Sequence, residues 1–424
     1  MSKRLKILQI IPTLDRCGAE KQMVLLATHL PKDEFDVEVT VLTRGGAFEE
    51  ELANAQISTT LIKKRLKFDP FALNRLKREV KRFQPDLVHT WLFAANAYGR
   101  KAAIDCGVPR IVAGERCVDQ WKSWYHFYID RWFAAQTDRI ATNSEGVKDF
   151  YVKHGLPAEK FVVIPNAVPP PETTLDHSFS GSVNEIFEEI GVTNFEPAGD
   201  YFSVSHSEYD SERKTFLPVV SELHFRQPPF IIGIVARLWQ QKRIKDLLWV
   251  FETLKFVNLN FHAVIIGDGP ERDMLLRLRD QWKLSDRVHF LGQRNDVPRF
   301  MKHFDILLNG SAYEGQSNSI LESMAMEIPV IATDIPGNND LVIEGVTGLL
   351  VPDGGEDFRL RRRIFVEKIL FLLENKELRK KMGIAAKTRI AEHFSLEQMI
   401  QRYSKLYRTL CTNHFSNPSS DSIR

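Results

Sequence analysis

The chain has 424 residues, too many for one ordinary hydrophobic core, so two domains are expected. Its composition is that of a soluble globular protein, 43% hydrophobic and 26% charged, and a net charge of +2 speaks against a dedicated nucleic-acid binder. Cys17, Cys106, Cys117 and Cys411 stand far apart without a CxxC pair, which speaks against a disulfide framework or zinc site and for a reducing compartment.

At the N-terminus, basic residues precede an apolar run that Pro12 cuts short. The run is too brief for a signal peptide core or a membrane span and reads as a first buried strand, so a cytoplasmic protein is expected. Short β-rich runs then alternate with helical patterns, the mark of βαβ units and a parallel sheet. Strands are predicted near Leu5–Ile11, Val37–Leu42, Leu87–Thr90, Ile111–Ala113, Ile140–Asn143 and Val162–Ile164. Lys63 to Arg82 carries nine basic and two acidic residues, and Phe71, Leu73, Leu76, Val80 and Phe83 approximate one helical stripe. Two readings stay open. The helix docks on an anionic membrane surface, at the inner face of the plasma membrane, or its stripe faces the core. The aromatic run Trp121, Trp124, Tyr125, Phe127, Tyr128 and Trp132 likewise lines a cleft for an acceptor sugar or packs in the core.

From Pro169 to Pro229 the pattern breaks: residues 172–214 hold ten carboxylates against two basic residues and few apolar ones. An exposed, partly disordered insertion is expected there. Strands resume near Phe230–Val235, His262–Ile266, Val288–Leu291, Ile306–Leu308 and Val330–Ala332. The expected order is an N-terminal doubly wound domain (1–168), the insertion (169–228), a second such domain (229–391), an amphipathic helix (392–412) with Ser395 as its cap, and a disordered tail (413–424).

Candidate chemistry sits in turns that follow strands, where open α/β sheets bind ligands. Arg237 and Lys242 leave one strand as two cations suited to a diphosphate. Gly267 lies in a further turn, whose glycines fit a tight turn near a ligand or any strand-to-helix turn, and Gly18 lies in another, where a backbone N–H could approach a phosphate. The segment Ser311-Ala-Tyr-Glu-Gly-Gln-Ser-Asn-Ser-Ile-Leu-Glu322 puts Glu314 and Glu322 on either side of a small-residue turn that opens into a helix. Ser319-Ile-Leu-Glu322 reads as a capping box, which explains Glu322 structurally and leaves Glu314 unexplained.

These residues resemble the donor-binding domain of family 4 retaining glycosyltransferases of the GT-B fold. The resemblance rests on Gly233-Ile-Val-Ala-Arg237-Leu-x-x-x-Lys242, Ile266-Gly-Asp-Gly-Pro270, Glu314-Gly-x-x-Asn-x-x-x-Glu322-x-Met-Ala, Val330-Ile-Ala-Thr333 and Gly345-Val-Thr-Gly-Leu-Leu-Val-Pro352. A looser match covers Gly18-Ala-Glu20, Pro85-Asp-Leu-Val-His89, Asn143-Ser144 and Ile164-Pro-Asn166, and the helix around Tyr403–Tyr407 is similar to the family's last helix, which returns to the N-terminal domain.

The resemblance implies two Rossmann-like domains and a nucleotide-diphosphate sugar as donor substrate, with no other cofactor. Arg237 and Lys242 would hold the diphosphate, and Glu314 would bond donor-sugar hydroxyls. Gly315, Gln316, Ser317 and Asn318 would surround the donor and offer backbone amides, and Glu322 would bind the ribose. The acceptor would be a glycan or a lipid-linked glycan in cell-envelope polysaccharide assembly. With no D-x-D pattern in the chain, these cations and not a metal would stabilise the leaving diphosphate. The sequence departs from the family at Gly114-Glu-Arg116, where a histidine is common, and at Cys17, where a glycine is usual. Glu115, Arg116 and His89 are the candidates for the missing histidine's place. A sugar-nucleotide epimerase of the same fold and a non-catalytic nucleotide-sugar-binding protein are the alternatives.

Overall fold

The computed structural model describes residues 3–170, 183–189, 209–210, 215–216, 229–355 and 357–412. It divides into unit 1, Met1–Ala167, Gly315–Asn318 and Phe394–Arg424, and unit 2, Val168–Glu314 and Ser319–His393. Most of the acidic insertion and the tail from Asn413 lie outside the described residues; residues 183–189 within the insertion are helical.

Unit 1 holds seven parallel strands: β1 (Leu5–Thr13), β2 (Phe35–Arg44), β3 (Ser58–Leu61), β4 (Leu87–Trp91), β5 (Arg110–Glu115), β6 (Arg139–Thr142) and β7 (Phe161–Val163). They lie in the order β3-β2-β1-β4-β5-β6-β7. Helices α1 (Gly18–His29), α2 (Glu49–Asn54), α3 (Pro70–Phe83), α4 (Leu92–Asp105), α5 (Trp124–Ala134) and α6 (Glu145–Lys153) intervene. A parallel sheet covered on both faces needs apolar strands throughout, and β1 obliges: Ile7 and Ile11 join one core, Leu8 and Ile10 the other. The strand reading omitted β3, an edge strand of sequence Ser-Thr-Thr-Leu whose residues are mostly exposed and carry no apolar alternation.

Helix α3 starts where Asp69 accepts the Ala72 N–H at 2.9 Å with Pro70 in the first turn, and it ends at Gln84 in the left-handed region. Leu76, Val80 and Phe83 are buried, and Leu73 packs on the same cluster. The stripe therefore belongs to the core; Phe71 alone departs from it, 74% exposed. The aromatic run behaves oppositely. Only Phe127 is buried, whereas Trp121, Trp124, Tyr125, Tyr128 and Trp132 are exposed, so core packing does not account for them.

Unit 2 contains α7 (Val183–Glu189) and six parallel strands: β8 (Phe230–Val235), β9 (Phe261–Ile266), β10 (Val288–Gly292), β11 (Ile306–Asn309), β12 (Val330–Asp334) and β13 (Gly348–Pro352). Their order is β10-β9-β8-β11-β12-β13. In each unit the winding reverses beside the first strand, between β1 and β4 and between β8 and β11, which defines a doubly wound sheet and its ligand crevice. β13 is not among the strands predicted; it is a short run bounded by Gly348 and Pro352. Gly233 in mid-β8 has a packing reason: a Cβ there would lie 1.9 Å from the Phe304 ring.

After α8 (Ile244–Phe256), α9 (Arg272–Gln281), α10 (Val297–Met301), α11 (Asn318–Ala325), α12 (Phe358–Glu374) and α13 (Lys376–His393), the chain ends its described course in α14 (Leu396–Thr412). Ser395 caps α14 by accepting the Gln398 N–H at 3.3 Å. The helix buries Leu396, Met399, Ile400, Tyr403, Tyr407 and Leu410 in the unit 1 core. Among the described residues no helix is long and apolar enough to cross a membrane.

Candidate active site

The two turns at the unit 2 switch point meet. After β8 the chain passes Arg237, buried Leu238 and Trp239 into a short 3-10 turn, Gln240–Lys242, before α8 begins. After β11 it passes Ser311 to Glu314. Backbone and side chain bind the turns together: the Ala312 N–H donates to Gln241 O at 2.8 Å, and Gln241 Nε2 to Tyr313 O at 2.6 Å. Thr333 Oγ1, at the end of β12, donates to Ser311 O at 2.6 Å.

This frame presents Glu314, whose side chain is only 8% exposed. Lys242 Nζ and Ser311 Oγ (2.8 Å) both donate to its Oε1. Among the described residues Oε2 takes no partner. Arg237 is exposed, its guanidinium 5.6 Å from the Trp239 ring centre, and forms no ion pair among the described residues. The strand ends thus hold an oriented carboxylate with one oxygen uncommitted, a cation pinned to its other oxygen, and a second cation in solvent. A diphosphate ester needs such cations, and a hydroxyl donor needs such an oxygen.

Gly267 serves the same frame through packing. It has φ +138°, and a Cβ would fall 1.9 Å from Ala236 O, so it lets the β9 turn lie against the β8 turn. Leu238 N–H donates to Asp268 O at 2.9 Å across that contact. Gly267→Ala is expected to destabilise unit 2 by about 2–4 kcal/mol, measured by denaturant unfolding. A change below 0.5 kcal/mol would mean that the two turns are not held this way.

The capping box is corrected. α11 begins at Asn318, so Ser319 lies inside the helix and Ser317 immediately precedes it. Glu322 is half-buried on α11. Gly315, Gln316, Ser317 and Asn318 group with unit 1, where the Asn166 N–H donates to Gln316 Oε1 at 2.6 Å and Asn166 Nδ2 to Asn318 Oδ1 at 2.9 Å. The predicted donor-site residues are therefore divided: Arg237, Lys242, Gly267, Glu314 and Glu322 belong to unit 2, the others to unit 1.

In unit 1, Gly18 opens α1, and its carbonyl accepts from Asn318 Nδ2 at 3.1 Å. Cys17 has φ −122°, extended backbone that any residue adopts, so the conformation there does not call for glycine. Glu115 sits at the end of β5, accepting from Asn96 Nδ2 and Tyr151 OH at 2.8 Å each and from Lys122 Nζ at 3.4 Å. Burial raises its pKa to about 7, and the Lys122 charge opposes that rise. Arg116 bonds Asn166 Oδ1 and Tyr403 OH and stacks 5.1 Å from the Trp91 ring centre; its Nε has no partner among the described residues. His89 Nδ1 lies 2.7 Å from Tyr407 OH, and burial, then the Arg116 charge, hold its pKa well below the usual value, so the ring is neutral near pH 7.

Sequence reasoning missed Ser311 as the partner of Glu314, and it missed the buried set Arg100, Lys122, Asp130 and Tyr151 around Glu115. A signal existed for Asp130: helical spacing puts it on the same face as buried Phe127 and Ala134, where a lone carboxylate demands a cation.

Two parallel doubly wound units of this strand order make the GT-B fold. Residues 220–389 match the family model "Glycosyl transferases group 1", and residues 17–171 match "Glycosyltransferase Family 4". The chain belongs to the family 4 GT-B glycosyltransferases. It is 24% identical over 421 residues, 96% of each chain, to the Escherichia coli UDP-Gal:alpha-D-GlcNAc-diphosphoundecaprenol alpha-1,3-galactosyltransferase. It is 28% identical over 173 residues to the Bacillus anthracis N-acetyl-alpha-D-glucosaminyl L-malate synthase, a match spanning 41% of this chain and less than half, 44%, of that protein. The crystal structure of Anabaena Alr3699/HepE in complex with UDP-glucose is similar with a TM-score of 0.77 and 20% identity, covering 96% of this chain and all of that one. That likeness speaks for the fold.

Proposed function

We propose that this glycosyltransferase moves a sugar from a nucleotide-diphosphate donor to a glycan or lipid-linked acceptor, with retention and without a metal ion, in cell-envelope polysaccharide assembly. The observation that carries this is the Glu314 carboxylate, with Oε1 held by Lys242 and Ser311 and Oε2 uncommitted, at the switch point of unit 2. As the glycosyl–phosphate bond opens, the anomeric carbon gains oxocarbenium character and negative charge grows on the diphosphate. Arg237 and Lys242 offset that charge, while Glu314 orients the sugar through its hydroxyls. The nucleotide and the lipid-linked acceptor are favoured by what the name of the Escherichia coli relative says of that enzyme, matched here over nearly its full length. The same reading places the enzyme in the cytoplasm, at the inner face of the plasma membrane for a lipid-linked acceptor.

The test is a panel of UDP- and GDP-sugars assayed with and without EDTA, with the product anomer read by NMR. Transfer with retention and an EDTA effect below about twofold is expected, since cationic side chains take the role of a metal. Activity lost to EDTA and restored by Mn²⁺ or Mg²⁺ would overturn the metal-free mechanism. Isomerised donor sugar would indicate the epimerase, and binding without turnover the non-catalytic protein.

A further inference from the structure

Helix α5 carries two faces. Phe127, Asp130, Phe133 and Ala134 are buried on one; Trp124, Tyr125, Tyr128 and Trp132 are exposed on the other, where Trp121 from the preceding turn joins them. The spacing 121, 124/125, 128, 132 is one helical stripe. The single carboxylate on α5, Asp130, is buried against Arg100 and Lys122. Beside the stripe, Asp119 accepts the Trp121 indole N–H at 3.1 Å and lies 3.4 Å from the Lys122 ammonium, which offsets its charge. Large aromatics left in water at this density mark a surface that is covered in use.

What covers it is indicated by the neighbours. The loop before α3 presents Leu66 and Phe68, 65% and 82% exposed, among Lys63, Lys64, Arg65 and Lys67. None of these four cations forms a salt bridge among the described residues. The loop is tied to α4: the Asp69 N–H donates to Tyr98 OH at 2.6 Å, Tyr98 OH to Lys67 O at 3.2 Å, and Lys64 lies 5.0 Å from the Tyr98 ring centre. The start of α5 rests on the same helix, with Phe93 ringed by Trp121 and His126 at 5.6 and 4.9 Å. His126 has its pKa lowered by burial first and then by the Lys122 charge, with Asp130 opposing and Lys67 of the loop adding to the lowering. On its other flank the stripe borders a groove of about 390 Å³ lined by Trp124, Phe127, Arg131, Lys153, His154 and Gly155, again cationic.

We propose that the aromatic face of α5, flanked by the Lys63–Lys67 loop and the Arg131–Lys153 groove, docks on the surface of an anionic lipid bilayer. Tryptophan and tyrosine favour the headgroup boundary, where an apolar ring and a polar edge are both satisfied. Lysines and arginines beside them gain from the negative surface potential. Phe68, Phe71 and Leu66 supply the apolar insertion that a charged patch alone lacks. The contact uses exposed aromatics and loop cations, not the stripe of α3. It does not depend on the transfer reaction, because docking is measured without donor or acceptor.

The experiment is co-sedimentation of the full chain with phosphatidylglycerol–phosphatidylcholine vesicles at low and high salt, with tryptophan emission recorded alongside. Binding with a blue shift, weaker on pure phosphatidylcholine, is expected. Trp124→Ser combined with Trp132→Ser should lower the partition coefficient by about tenfold or more, and Lys63→Glu with Lys67→Glu should remove most of the salt dependence. These side chains are exposed, so unchanged melting of each variant is expected and is checked first. No binding of the wild-type chain at low salt, or binding unchanged by the tryptophan pair, would overturn the proposal. So would a wild-type dimer that the tryptophan pair dissolves while vesicles bind neither form, since the face would then join two copies.

Discussion

Glu314→Gln is expected to lower kcat/KM for sugar transfer by about 10²–10³-fold while leaving the fold intact, the cost typical of removing one oriented polar group from a transition-state site. The change is nearly isosteric, and Ser311 can still donate to the amide oxygen. What is lost is chemical. A carboxylate accepts at both oxygens, whereas the amide accepts at one and donates at the other. The Oε2 position offered to a donor-sugar hydroxyl therefore either presents the wrong polarity or, after a flip, takes the acceptor away from Lys242. Steady-state kinetics together with a melting curve separate the outcomes. Full activity would remove Glu314 from the site, and loss of folding would make it a structural group.

Lys242→Ala is expected to reduce kcat by a similar 10²–10³-fold, since the growing charge on the diphosphate loses a preorganised cation. It also carries a stability cost that Arg237→Ala does not. Lys242 and Glu314 are 14% and 8% exposed, so truncating the lysine strands a nearly buried carboxylate, at about 1–3 kcal/mol. Arg237 is exposed and forms no ion pair among the described residues, so its loss should spare stability and weaken donor binding and turnover. Kinetics and denaturant unfolding of both single variants test this. Equal stability loss in the two, or no kinetic loss in either, contradicts the assignment.

Much of the fold was legible because parallel strands buried on both faces must be apolar along their whole length. β1, β8 and β11 announce themselves in that way. β3 did not, since an edge strand with exposed threonines has no such constraint. Arg237, Lys242 and Glu314 could be picked out because charge in a turn after a buried strand has little structural use. Their pairing could not, because residues 242 and 314 meet only through the β8–β11 adjacency set by the winding reversal. Ser319 illustrates the reverse failure: its spacing to Glu322 fits a capping box, but α11 starts two residues earlier than that motif requires. The aromatic run was ambiguous for a related reason. Composition says that aromatics want cover, and only the structure shows that Phe127 finds it in the core while its neighbours do not.

The most direct measurement of the central claim is release of nucleoside diphosphate from a nucleotide sugar by the wild-type chain, with and without a polyprenyl-diphosphate-linked glycan. The account predicts acceptor-dependent release, matched mole for mole by a glycan lengthened by one sugar in the donor's anomeric configuration, and its near-disappearance in Glu314→Gln. A panel of donors bound but never consumed, or a product of inverted configuration, would contradict it.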